Sequence, residues 1–529
     1  MPIKKEGKVA EKYKVIAGLI VTLIIVIVLS EVISIDLGKK YMNWSANLIS
    51  PPDSDGITPP PYEEDREWEI VDVPGTKCGD GSPYFIIFSE GPLEINGEPN
   101  SRVVIWLPGG GSTQIDLEGN LDSAIGSLQE IRSLTQGPDR NAIKNGASFG
   151  GAYIFLNSPD NDAFVRDAHW AVFPYCTQDF HSGNKTEVYR YDFTGVSKIV
   201  NQIETLINVR GKTVEQIQNV LPNLEIQGSE AVGNFNVDRV FLTIIHDGAR
   251  NVKLGLDKLF VRLQSTGFNL DNADILMSGS SAGGFGTWYN AWRIGDLLYG
   301  YPDARFTIDA QSGSPSIREW NGEDLEFVQE ELDELLHRLS WQNVNLPCQV
   351  PGSNYNGNGQ CYDVLDLVDH YNERWLGMDF QIATIVNKED LIAVAGLGNE
   401  GEPGFEAKLL NLCRGIHRYS QYIYLTENSN PYTAWIYERN GRGYKRVHGF
   451  KNGIFTAHML SPDGQGRSEY SALSYVNAVA SRTINRDPAQ IENILGVVID
   501  PGDLNSRISP QPDHLPECNV SWPSSGRPA

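Results

Sequence analysis

Gly279-Ser280-Ser281-Ala282-Gly283 has the residue types and spacing of a serine held at a sharp corner. A G-x-S-x-G turn between a strand and a helix keeps small side chains at its crowded flanks and lifts the serine hydroxyl clear of the sheet. The N–H of the next residue, Ala282, is then placed to bind the oxygen anion of a tetrahedral intermediate. The chemistry is acyl transfer through an acyl-enzyme. The pattern is short and the chain holds 52 glycines, so context must decide. Residues 274–277 (DILM) read as a strand before the turn, and an aromatic-rich helical pattern with Trp288, Trp292 and Leu297 follows it. A second match, Gly146-Ala147-Ser148-Phe149-Gly150, follows a polar loop and precedes a strand, so Ser148 fails the strand–turn–helix requirement. Ser281 is the expected nucleophile, with Ser280 as its alternative.

A nucleophilic serine needs an oxyanion hole, a base and an acid. Residues 102–107 (RVVIWL) read as a strand opening into Gly109-Gly110-Gly111. Glycine permits the backbone angles and close approach that aim N–H groups at a substrate oxygen. Gly110 and Gly111, with Ala282, are the expected donors. The chain order serine, acid, histidine directs the search past residue 281. Four histidines lie well beyond it: His417 in a helical pattern, His448 in a basic patch, His514 in an irregular tail, and His458 in a loop of small residues. Asp309 and Asp390 both follow strand-like runs, and either could hold an imidazole tautomer. Asp390 is preferred as nearer in sequence to His458.

These groups require a rigid scaffold. Runs at 102–107, 152–156, 170–173, 239–245, 274–277, 306–308 and 380–386 are apolar without clean alternation, and helical patterns such as 249–263 and 325–339 lie between them. That predicts a mainly parallel sheet covered by helices. Residues 192–236 read as an insertion with its own helices.

Lys plus Arg is 43 and Asp plus Glu is 67, giving a net charge of −24. Such a chain is a poor partner for nucleic acid, whose phosphates require basic side chains. Residues 1–14 carry five lysines, and an uncharged apolar run begins at Val15. Carried past Glu31 to Ile35 it is long enough to cross a bilayer, which takes about 20 residues. The absence of an A-x-A-like site favours an uncleaved anchor over a signal peptide. The flanking lysines place residues 1–14 in the cytoplasm and the remainder outside. Residues 36–66 form a Pro-rich, acidic stalk, 67–500 the globular domain, and 501–529 an irregular tail. The six cysteines (Cys78, Cys176, Cys348, Cys361, Cys413 and Cys518) have no zinc spacing. An even number in an exported domain predicts disulfides, with Cys348–Cys361 across a Gly- and Asn-rich loop as the expected pair.

Six separated motifs resemble the pectin acetylesterase family, which includes Notum-type lipid carboxylesterases. They are LPGGGS at 107–112, VFPYCTQDFHSG at 172–183, HDGARNVKLGLDKL at 246–259, GSSAGGFGT at 279–287, FQIATIVNKED at 380–390 and TAHML at 456–460. The resemblance implies an α/β-hydrolase-like serine esterase working outside the cytoplasm without metal or organic cofactor. It implies Ser281 as nucleophile, Asp390 as acid, His458 as base, and N–H groups of Gly110, Gly111 and Ala282 at the oxyanion. It implies an acylated substrate, with O-acetyl groups on polysaccharide expected first and longer acyl chains second. A surface binding protein that keeps the fold without activity is the rival from another class. The chain departs from the family in having GGGST rather than GGGWC, and Ser280 where cysteine is usual.

Overall fold

The computed structural model describes residues 67–110, 114–115, 121–122, 128–138, 140, 163–191, 198–231, 233–311, 318–320, 325–327, 363–387, 412, 416, 422–426, 458–460, 467–471, 476 and 479–482. All of them fall in the unit Glu64–Ala529. Its centre is one eight-stranded sheet. We label the strands β1 (Trp68–Lys77), β2 (Pro83–Ser89), β3 (Arg102–Leu107), β4 (His169–Val172), β5 (Asp274–Ser280), β6 (Arg305–Gln311), β7 (Asp379–Asn387) and β8 (Tyr422–Thr426). They lie in the order β1-β2-β4-β3-β5-β6-β7-β8. The first two pairings, β1 with β2 and β2 with β4, are antiparallel, and the other five are parallel.

The central strands explain their own unbroken hydrophobicity. Val103 to Leu107 of β3 and Asp274 to Gly279 of β5 are buried on both faces, as a parallel strand covered by other layers must be. Helix α1 (Gly248–Gln264) packs on β1 and β2. Helix α2 (Ala282–Leu298) packs on β3, β5 and β6, and helix α3 (Val364–Arg374) packs on α2. Trp375, just past α3, stacks on Tyr371 with ring centroids 4.5 Å apart and meets Phe380 of β7 edge-on. This aromatic wedge locks α3 to the sheet.

The run at 239–245 does not join the main sheet. It belongs to Asn234–His246, the middle strand of a separate antiparallel sheet with Leu224–Ala231 and Lys185–Tyr191. Val240, Leu242 and Ile244 are buried while Phe241, Thr243 and Ile245 are only half-buried, so the period-two alternation is present. Large apolar residues on both faces conceal it in the sequence. Between these strands lie the helices Lys198–Glu204 and Val214–Gln218. The helix expected over 325–339 is also corrected: Leu325–Phe327 pairs as a strand with Arg318–Trp320, and the remainder lies outside the described residues. The strand expected at 152–156, the apolar run 15–35, the stalk and the tail also lie outside them. Among the described residues, no helix is long and apolar enough to cross a membrane.

Cys78, in the turn after β1, is bonded to Cys176, in the loop after β4, across 98 positions. Among the described residues no cysteine is free. The expected Cys348–Cys361 pair lies outside them. Closing a loop of this length restricts the unfolded chain, so replacing both Cys78 and Cys176 by serine is expected to cost about 2–5 kcal/mol. Equilibrium denaturation would show a lower midpoint; an unchanged midpoint would show that the bridge contributes no stability.

Candidate active site

Strand β5 ends at Ser280, helix α2 begins at Ala282, and Ser281 stands alone between them. Its backbone has φ 58° and ψ −123°, a left-handed value unusual for a residue with a Cβ. Such a residue costs about 1–3 kcal/mol and persists only where its surroundings hold it. Here the Ser281 N–H donates to Gln311 O on β6 at 2.9 Å, and Ser281 O accepts from Gly284 N at 2.8 Å and Phe285 N at 3.2 Å. The corner also needs Gly283. A Cβ there would come within 1.8 Å of Leu107 O, so only glycine lets α2 start this close to the end of β3. Ser280 still pairs in the ladder, opposite Gln311. Ser148 lies outside the described residues.

The glycine loop abuts this corner. Gly279 of β5 pairs with Leu107 of β3, and Pro108 and Gly109 follow directly. A Cβ on Gly109 would lie 2.2 Å from Ser280 O and 2.8 Å from Ser281 Cβ. The loop therefore passes at backbone distance from the serine. Gly110 is exposed beside the Tyr175 ring. Ala282 is buried at the first position of α2, where helix N–H groups lack intrahelical partners and the helix dipole favours negative charge. Gly111 lies outside the described residues.

Behind the glycine loop sits a polar segment to which sequence reasoning gave no role. Thr177, Gln178, Asp179, Phe180, His181 and Ser182 are all buried. Gln178, Phe180 and His181 have φ of 55°, 53° and 57°. His181 Nε2 donates to Pro108 O at 2.9 Å, and burial pushes the ring down to about 4, so it is neutral near pH 7. Tyr175 OH accepts from Phe180 N at 3.0 Å. Asp179 accepts from Thr177 Oγ1 at 2.7 Å and from Gly248 N, at the head of α1, at 2.8 Å. Burial nevertheless pushes its carboxyl up to about 6. His246 donates from Nδ1 to Thr177 O at 2.7 Å and accepts at Nε2 from Tyr189 OH at 2.6 Å. These bonds tie the antiparallel sheet to the loop. The available signal was the density of polar residues between β4 and Lys185, which a solvent-exposed loop would also show.

Asp309 lies within β6, opposite Ser278 of β5. Its Oδ2 accepts from Ser278 Oγ at 2.6 Å and Gln311 Nε2 at 2.7 Å, and its Oδ1 is buried without a partner. Burial raises its carboxyl to about 7. Asp390 lies outside the described residues, three positions beyond the end of β7 at Asn387. The carboxyl ends of β3, β5, β6 and β7 share one edge of the sheet, the edge that carries Ser281. His458 opens a short antiparallel ladder, His458–Leu460 with Arg467–Ser471, in which its backbone is opposite Ser471. Its side chain, like His417, His448 and His514 as a whole, lies outside the described residues. The structure thus joins Ser281 and Ala282 with Gly109, next to Gly110 in the loop, and the meeting of Ser281 with Asp390 and His458 lies outside what it describes.

An eight-stranded, mainly parallel sheet flanked by helices, with a serine at a strand–helix corner, is the arrangement of α/β-hydrolase-like folds. Among solved structures, two crystal forms of the Wnt deacylase Notum from Drosophila match this chain at 14% identity. One match covers 79% of this chain and 94% of the other with a TM-score of 0.44, and the second covers 79% and 95% with a TM-score of 0.41. No family model matches the sequence, and no curated protein matches it.

Proposed function

We propose that the protein is a serine esterase acting on O-acyl esters through an acyl-enzyme. The observation that carries this reading is the left-handed Ser281 at the β5–α2 corner, pressed against the glycine loop after β3. In this reading Ser281 Oγ attacks the ester carbonyl while His458 takes its proton. Asp390 holds the imidazole and stabilises its cationic form. N–H groups of Gly110, Gly111 and Ala282 bind the oxyanion. His458 returns the proton to the departing alkoxide, and the alcohol leaves. Water, deprotonated by His458, then attacks the acyl-enzyme, and the carboxylic acid and free serine result. Every step uses side chains and backbone of this chain.

The substrate is proposed to be an acylated molecule outside the cytoplasm, with O-acetyl groups on polysaccharide first and longer acyl chains second. The Cys78–Cys176 bridge supports an oxidising compartment. We place residues 15–35 across a membrane, residues 1–14 in the cytoplasm and the catalytic domain outside or in a lumen.

Labelling with a fluorophosphonate, followed by mass mapping of the adduct, tests the chemistry. An adduct on Ser281 is expected. An intact protein that never reacts would instead be a binding protein with this fold. Hydrolysis of p-nitrophenyl esters from acetate to palmitate then sizes the acyl pocket. The proposal expects kcat/KM to be highest for acetate; a maximum at long chains would move the substrate to lipidated molecules.

A further inference from the structure

We propose that His181 is a positioning residue for the oxyanion loop, anchoring the peptide through which the chain enters that loop by holding the carbonyl of Pro108. The inference rests on the esterase reading. Pro108 O can only accept, so the contact at 2.9 Å fixes a proton on His181 Nε2. The Pro108–Gly109 peptide is planar, so holding its oxygen also fixes the opposite direction of the Gly109 N–H. This is the first peptide entering Gly109-Gly110-Gly111. With no side chains, that run has little of its own to restrict φ and ψ. Its orientation must come from contacts, and preorganised donors are what stabilise a developing oxyanion.

The other side of His181 is fastened to the serine's own helix. Asn290 Nδ2 of α2 donates to His181 O at 3.0 Å. A Cβ on Gly286 of α2 would lie 2.8 Å from His181 Cδ2, so the ring rests directly on the helix. The His181 ring also packs on Tyr175 at 4.6 Å between centroids, and Tyr175 in turn borders Gly110. One side chain therefore spans from the element that presents Ser281 to the loop that faces it. His181 itself has a left-handed φ of 57°.

The test uses His181→Asn, His181→Phe and His181→Gln in the full chain. Asparagine tolerates left-handed backbone but is too short to reach Pro108. Phenylalanine fills the space without a donor, so one donor-less variant remains if the other folds poorly. Glutamine keeps an amide N–H near the Nε2 position. Circular dichroism and the melting temperature identify which variants are folded. In folded donor-less variants kcat and the phosphonylation rate are expected to fall about 10- to 100-fold with KM within about twofold. Glutamine should return both to within about threefold of the parent. Donor-less variants that match the parent, a loss confined to KM, or a glutamine variant as impaired as asparagine would each overturn the inference. A parent protein that takes no label at Ser281 would instead remove the esterase reading itself.

Discussion

Ser281→Ala is expected to abolish covalent labelling and to lower ester hydrolysis by about 10⁴- to 10⁶-fold, while the protein folds as before. The size follows from what the hydroxyl does. Without it no acyl-enzyme forms, and only the oxyanion donors and substrate binding remain, which by themselves give about 10³- to 10⁴-fold over water. The fold should persist because the corner is held by backbone contacts. Gln311 O, Gly284 N and Phe285 N all bond to the Ser281 main chain, and the close approach to β3 belongs to Gly283. Ser280→Ala is the matched control. Ser280 is the last ladder residue of β5, so its loss should leave the label in place and activity within about tenfold. An adduct that survives Ser281→Ala and disappears with Ser280→Ala would transfer the nucleophile one residue back.

Asp390→Asn is expected to reduce kcat by about 10⁴-fold, because an asparagine favours the wrong imidazole tautomer and cannot stabilise the cation. Asp309→Asn is expected to change activity by less than about tenfold. Asp309 already accepts two hydrogen bonds within the sheet, from Ser278 and Gln311. With its carboxyl near 7 from burial, it is only partly ionised at neutral pH and suits an imidazolium badly. An asparagine can turn its oxygen toward the same two donors and leave its amide at the unpartnered Oδ1 position. Steady-state kinetics on both variants, with the melting temperature as a folding check, decides between them. A 10⁴-fold loss in Asp309→Asn together with an active Asp390→Asn would reverse the assignment of the acid.

The corner at Ser281 was legible because its causes are local. Strand, turn and helix are contiguous, and the small residues it needs lie two positions either side of the serine. The central strands β3 and β5 were legible for a similar reason: burial on both faces leaves a largely apolar run in the chain itself. The edge strands were less so. β1 contains Pro74-Gly75 and an irregular register between Asp72 and Lys77, which breaks any simple pattern.

The residues alone therefore determined a serine at a strand–helix corner, a glycine loop able to face it, an acidic surface and the alternation of β and α elements. Tertiary structure alone decided which distant groups meet. Six cysteines allow 15 complete pairings, and only folding brings Cys78 to Cys176. His181 finds Pro108 across 73 positions, and the strand Asn234–His246 pairs within its own antiparallel sheet rather than the central one. The physical reason is that local sterics and hydrophobic period are properties of neighbouring residues. A partner across the fold is selected by packing and by the cost of leaving a buried polar group unpaired, and neither exists until the chain has closed upon itself.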